Sequence, residues 1–129
     1  MMQFSLLTPE GELYNAQVEE VHAQGSEGNL GILPQHISLV TQLKVAPLSV
    51  KVQGQVKRFA VYGGILQVTP EKVTAFADHA ELPERIDRAR ASARKEELES
   101  QLQRASDPHQ RATLKRQIDI AQVQLEVLS

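Results

Sequence analysis

Histidine most readily combines metal ligation with proton transfer near neutral pH, and the chain has four: His22, His36, His79 and His109. None belongs to a His-x-x-x-His pair or has a carboxylate at ligand spacing, so no metal set is written into the sequence. The absence of cysteine removes disulfides, thiolate catalysis and cysteine-ligated zinc together. Glycine-rich turns can aim backbone N–H groups at phosphate. Here, however, Gly28-Asn-Leu-Gly31 runs into Ile32-Leu33-Pro34, with neither the following Lys-Ser/Thr nor a helix start, and reads as a bend. The densest charge is Arg85, Arg88, Arg90, Arg94 and Lys95, soon balanced by Glu96, Glu97 and Glu99, as on a solvated helix face. Asp87 and Arg90, three apart, fall on one side of a helix, where a simple intrahelical pair accounts for them. The inventory offers binding surfaces and no reaction centre.

The elements that carry these residues divide the chain in two. From Gln3 to about Ala80, period-two or short β-branched runs are punctuated by turns, as in an all-β unit. Its centre is Gly25 to Leu43, a shaped loop in which three glycines and Pro34 interrupt a stretch without charge after Glu27. Within it Glu27, Asn29, Gln35 and His36 punctuate apolar sequence, as an exposed tip requires. For His36 two readings stand level: an imidazole that fixes the turn by hydrogen bonding, or a partner contact. A second stretch, Ala60-Val-Tyr-Gly-Gly-Ile-Leu-Gln-Val68, places a glycine pair where a buried strand bends or another backbone comes close. Short strands with tight turns predict antiparallel sheets packed face to face. With 4% aromatic residues and no Trp, the core must be built from Val, Leu, Ile and Ala.

At Asp78 to Glu84 the composition changes, and Ala, Arg, Glu, Gln and Leu take over. The pattern predicts a first helix from Pro83 to about Ala105, with Glu81 and Glu84 near its positive end, and a break at Ser106-Asp107-Pro108. Asp107 as N-cap, Pro108 at the first helical position and Gln110 at the third begin a second helix. Its stripe is Leu114, Ile118, Ala121, Leu125 and Leu128; the first helix answers with Ile86, Ala89, Ala93, Leu98, Leu102 and Ala105. The expected architecture is mainly β plus α: a β-sandwich over residues 1–80 and an antiparallel helical hairpin over 81–129. A net charge of −2 and a pI near 6.1 argue against nucleic-acid partners. No run of about eighteen apolar residues exists for direct membrane insertion, so membrane association would come through a partner.

Gly-x-Leu-Gly-Ile-Leu-Pro-x-His at Gly28 to His36, followed by Val-x-Gly-Gly-Ile-Leu-x-Val at Val61 to Val68, closely resembles the ε subunit of bacterial F-type ATP synthases. The similarity runs from about Phe4 to the C-terminus. The resemblance implies a non-catalytic rotor and regulatory subunit: a sandwich bound to the γ subunit and resting on the c-ring, with a hairpin that reaches the α/β catalytic head and restrains ATP hydrolysis. It implies that Glu27, Asn29, Gln35 and His36 face the c-ring, and that the protein sits peripherally on the cytoplasmic side of the bacterial inner membrane. Ile86-Asp87-Arg88-Ala89-Arg90-Ala91 matches the family element Ile/Leu-Asp-x-x-Arg-Ala, which in some members helps bind ATP. On that likeness Glu81, Ile86, Asp87, Arg90 and Ala91 are candidate nucleotide contacts. ATP is then expected as a weak regulatory ligand at most, with no other cofactor, because members that bind it well supply arginines late in the second helix, where this chain has none after Arg116. Ser38 and Gln67 depart from the family's common proline and glutamate. The competing reading is a structural adaptor that docks a partner through its helical hairpin.

Overall fold

The computed structural model describes residues 1–129. Eight strands come first: β1 (Met2–Thr8), β2 (Gly11–Val18), β3 (Glu20–Gly25), β4 (Gly28–Ile32), β5 (Leu39–Val52), β6 (Gln55–Val68), β7 (Lys72–Ala77) and β8 (Ala80–Glu81). A 3-10 turn at Pro83–Arg85 leads to helices α1 (Arg88–Arg104) and α2 (Pro108–Val127). The strands pair in the order β2-β1-β7-β6-β5-β3-β4, with the short β8 also on β6. All contacts are antiparallel except β1 with β7.

The two 14-residue strands β5 and β6 are each long enough to serve both layers of the sandwich. In the first half of β6, Phe59 and Val61 face the main core while Ala60 and Tyr62 face the other way. In the second half the phase is reversed, with Leu66 and Val68 inward and Ile65 exposed. The switch falls at Gly63 and Gly64, whose φ values are +90° and +140°. Only glycine adopts such angles without strain, and a Cβ on Gly64 would lie 2.2 Å from the carbonyl oxygen of Phe76. The glycine pair is thus the fold in the sheet. β5 changes phase opposite it: Leu43 and then Leu48 and Val50 are inward, while Val45 joins the outer cluster.

The core between the layers is aliphatic, built on Leu6, Val18, Val21, Ile32, Leu48, Val50, Leu66, Val68 and Val73. Its few aromatics cluster: ring centroids of Tyr14 and Phe59 lie 4.9 Å apart and those of Phe4 and Phe59 6.5 Å.

Several expectations change in detail. Much of the glycine stretch is paired strand, leaving only residues 33–38 as a connection between β4 and β5. Here β pairing overrides a local composition that looks like loop. The first helix begins at Arg88 instead of Pro83. Pro83 opens only the 3-10 turn, and Asp87 caps the helix proper, its Oδ1 accepting from the Arg90 backbone N–H at 3.0 Å. The Asp87 carboxylate therefore meets the Arg90 main chain, and the expected side-chain pair is replaced by an N-cap. On α1 the small buried residue is Ala91, with Ala89 and Ala93 exposed. The second start is as expected, with Asp107 Oδ2 accepting from the Gln110 N–H at 3.0 Å. Each helix also lends the other an arginine: Arg111 donates to the carbonyls of Leu102 and Ala105 at 2.8 and 2.9 Å, and Arg88 to that of Leu128 at 2.7 Å. These close the exposed C-terminal carbonyls of both helices.

Candidate functional site

α2 has two apolar faces. Leu114 and Ala121 belong to the stripe read from the sequence and are buried, with Ile118, Leu125 and Leu128 half-buried. Val123 and Val127, outside that stripe, pack with Ile120 on Ala60, Tyr62, Val45 and Ile86. The hairpin therefore lies on the outer face of the layer that contains the first half of β6.

Beside this seam is a cleft of about 410 Å³, where the structure gathers all five candidate nucleotide contacts, Glu81, Ile86, Asp87, Arg90 and Ala91. Glu81 comes from β8, Asp87 from the cap of α1, and Arg90 and Ala91 from its first turn. Sequence reasoning did not bring Tyr62 and His79 into it; they also line the cleft, with rings stacked at 5.5 Å between centroids. Their signal was faint: Tyr62 is one residue before the glycine pair, in phase with Ala60. From α2 the cleft receives Ile120 and Gln124, neither charged.

The cleft's carboxylates are already engaged. Tyr62 donates its hydroxyl to Glu81 Oε1, and Gln124 Nε2 donates to the same oxygen at 2.9 Å. Burial first, and then the bond to the Glu81 carboxylate, push the Tyr62 phenol well above its ordinary pKa. Asp87 is occupied with its cap. Arg85, Arg90 and Arg94 line the cleft without a carboxylate in ion-pair range; elsewhere His22 hydrogen-bonds Glu20 at 2.8 Å.

The other candidates lie on the sandwich. Glu27 is exposed at the tip between β3 and β4, and Asn29 is exposed on β4, paired with Gln24. The tip is tied to β5 by the Ser26 N–H, which donates to the Gln42 carbonyl at 2.9 Å. Gln35 has φ +63°, and its N–H donates to the Pro70 carbonyl at 2.9 Å; His36 follows, half-buried. Gly25 pairs with Leu43 and Leu39 with Val68, so tip and connection approach the first four or five residues of β5, roughly 13 to 17 Å of strand. The tip with Glu27 and the connection with Gln35 and His36 thus border opposite ends of that stretch of β5, while Asn29 also lines a cleft with Pro47 and Ser49.

On the outer face of the layer away from the hairpin, Ile65 pairs directly with Phe76, and Phe76 with Leu7. Ile65 is 47% exposed, Phe76 45% and Val40, nearby on β5, 69%. Leu33 and Ile37 in the 33–38 connection are also exposed. No group of three His or acidic side chains converges on a metal-sized position, and no helix is long and apolar enough to cross a membrane.

Sandwich, exposed apolar sheet face and docked helical pair make a two-part chain, one face taken by its own helices and the other open. The family model of the ATP synthase delta/epsilon chain β-sandwich domain matches residues 1–83. The chain is similar to the ATP synthase epsilon chain of Bacillus licheniformis, 43% identical over 80% of this chain and 79% of the relative. It is 34% identical to that of Laribacter hongkongensis over 98% of this chain and 92% of the relative. Among solved structures, a chain of the Euglena gracilis mitochondrial ATP synthase superposes with a TM-score of 0.87 at 21% identity, over 99% of this chain and 81% of that one. A chain of the Tetrahymena thermophila ATP synthase central stalk and c-ring gives 0.64 at 16% identity, over 99% and 96%; both are likenesses of fold. The chain belongs to the ATP synthase delta/epsilon chain family.

Proposed function

We propose that this chain is the non-catalytic ε subunit of a bacterial ion-translocating F-type ATP synthase, with the sandwich (residues 1–80) as its rotor-binding unit and the hairpin (81–129) as a regulatory arm. The observation that carries this is the division of the sandwich's outer faces: one is covered by α2, while the other leaves Val40, Ile65 and Phe76 open. Contiguous exposed apolar groups on a sheet face mark a partner surface. The γ subunit is assigned to that face. The region of Glu27, Asn29, Gln35 and His36, with Leu33 and Ile37, is assigned to the loops of the c-ring. This arrangement holds the protein peripherally at the cytoplasmic side of the inner membrane.

The arm is assigned to restrain ATP hydrolysis by leaving the sandwich for the α/β head. Its seam on the strands involves few large side chains, Val123, Val127 and Ile120 chief among them. Each fully buried aliphatic contributes about 1.5 to 3 kcal/mol, and reversing a two-state population takes about 5.5 kcal/mol, so exchange between surfaces is energetically accessible. Leu82 packs on the main core and β8 pairs with β6, so the truncation that tests this reading ends after Leu82. The truncated chain should fold, bind γ and restore coupling in an ε-depleted enzyme, while hydrolysis rises above that with the full chain. Hydrolysis indifferent to the tail would remove the regulatory assignment; failure to bind γ would remove the rotor assignment.

A further inference from the structure

We propose that the Tyr62 hydroxyl, the Glu81 carboxylate and the Gln124 amide form a polar latch that holds the hairpin on the sandwich without a bound ligand. The inference deepens the proposed regulation and rests on the arm being mobile.

Two side-chain hydrogen bonds cross from α2 to the strands. One is Gln124 Nε2 to Glu81 Oε1 at 2.9 Å; the other, longer, is Arg116 Nη2 to the Tyr62 carbonyl at 3.4 Å. The remaining side-chain bonds of α2 stay within the hairpin, as with Arg111 to α1 and Gln122 to Glu126. Both crossing bonds converge on the Tyr62–Glu81 pair: the Tyr62 ring lies under Val123 and Val127, its carbonyl accepts from Arg116, and its hydroxyl donates to the Glu81 carboxylate that Gln124 meets. Its N–H donates to the His79 carbonyl at 2.9 Å, which fixes the backbone that presents the ring.

Tyr62 and Glu81 both belong to strands and remain together when the hairpin leaves. Their bond therefore preorganises the acceptor, and Gln124 is the part that engages or releases. A neutral amide meeting an ionised carboxylate is among the stronger hydrogen bonds, and partial burial protects it from water. To the non-directional apolar contact the Glu81 carboxylate oxygen adds a shorter directional anchor than the Tyr62 carbonyl, and the two bonds together fix the register of α2. The Gln124–Glu81 bond is made between two side chains that line the α1 cleft, so docking needs no ligand there.

The absence of cysteine permits a direct test. Ala60 is fully buried beneath Val123 and Val127, so a thiol introduced by Ala60→Cys reacts with an aromatic disulfide reagent only when the hairpin lifts. Val61 faces the main core, and Val61→Cys reports opening of the sandwich itself. In the Ala60→Cys background, Gln124→Leu should raise the labelling rate by about tenfold, the scale of losing one charge-assisted bond, and Tyr62→Phe, which removes only the preorganisation of Glu81, should raise it by less. Gln124→Glu, which sets a second carboxylate against Glu81, should raise it further. The Val61→Cys rates should not follow, and millimolar ATP should leave the parent rate unchanged. Labelling of the Gln124 variants within about twofold of the parent, or ATP slowing the parent, would overturn the latch. Because labelling is read on the isolated subunit and hydrolysis on the assembled enzyme, a responsive thiol with unresponsive hydrolysis would sink the regulatory reading and leave the latch standing.

Discussion

Replacing Gly64 with alanine should be among the costliest single-methyl changes available to this chain. At φ +140° an alanine enters a region that only glycine occupies readily, which costs about 1 to 3 kcal/mol. Its Cβ would also stand 2.2 Å from the Phe76 carbonyl oxygen and 2.8 Å from the Ala77 Cα, inside contact distance of backbone that cannot swing aside. Relief requires loosening the Gly64–Ala77 pairing between β6 and β7, an overpacking cost of about another 1 to 3 kcal/mol. The sum is about 2 to 6 kcal/mol, against a typical domain stability of about 5 to 15. At about 4 to 8 °C per kcal/mol for a unit of this size, the melting temperature should fall by at least about 8 °C. Gly54→Ala separates strain from collision: φ is +78° there, but nothing lies within 4 Å of the new Cβ, so about 1 kcal/mol is expected. Urea melts of both variants with unchanged m-value supply the comparison. If Gly64→Ala proved no more costly than Gly54→Ala, the close approach of β7 would not be what reserves this position for glycine.

Three further outcomes follow from the same geometry. The tyrosine absorbance that Tyr62→Phe removes should titrate only well above pH 10.0, the ordinary tyrosine value. Because the folded pKa is raised, stability is undiminished below that value and declines as pH rises past it; a difference titration centred near 10 would contradict the burial of the phenol. A cysteine at exposed Asn29 should cross-link to one in the polar loop of the c subunit; cross-links arising instead from the β5–β6 turn would reverse the assigned orientation. Calorimetric titration of the isolated chain with ATP should show weak binding or none. The second helix presents Ile120 and Gln124 to the cleft, and exposed arginines contribute about 0 to 1 kcal/mol each; low-micromolar binding abolished by Arg90→Ala would defeat that reasoning.

Which parts were legible in the residues follows from which signals are local. The cap at Asp107 and the proline after it act within one turn of chain, and α2 starts at Pro108 as they require, whereas the composition change at Asp78 to Glu84 is diffuse and α1 begins later than the expected Pro83. The run Ala60-Val-Tyr62 was harder, because all three residues are buried and strict alternation disappears. Burial on both sides says that a strand is covered twice, but not whether the second cover is another sheet or a helix. The missing half was in α2, where Val123 and Val127 fall outside the stripe that meets α1. A helix with one partner needs one stripe; apolar residues beyond it are a second interface. Taken together, an unexplained second face on α2 and a doubly buried β6 segment account for each other, and Tyr62 carries the one polar group in that buried strand segment. Glu81 follows from that hydroxyl, since a buried phenol requires an acceptor. The chemistry of the cleft is thus set by packing between distant segments, which a motif confined to Ile86 to Ala91 has no means to record.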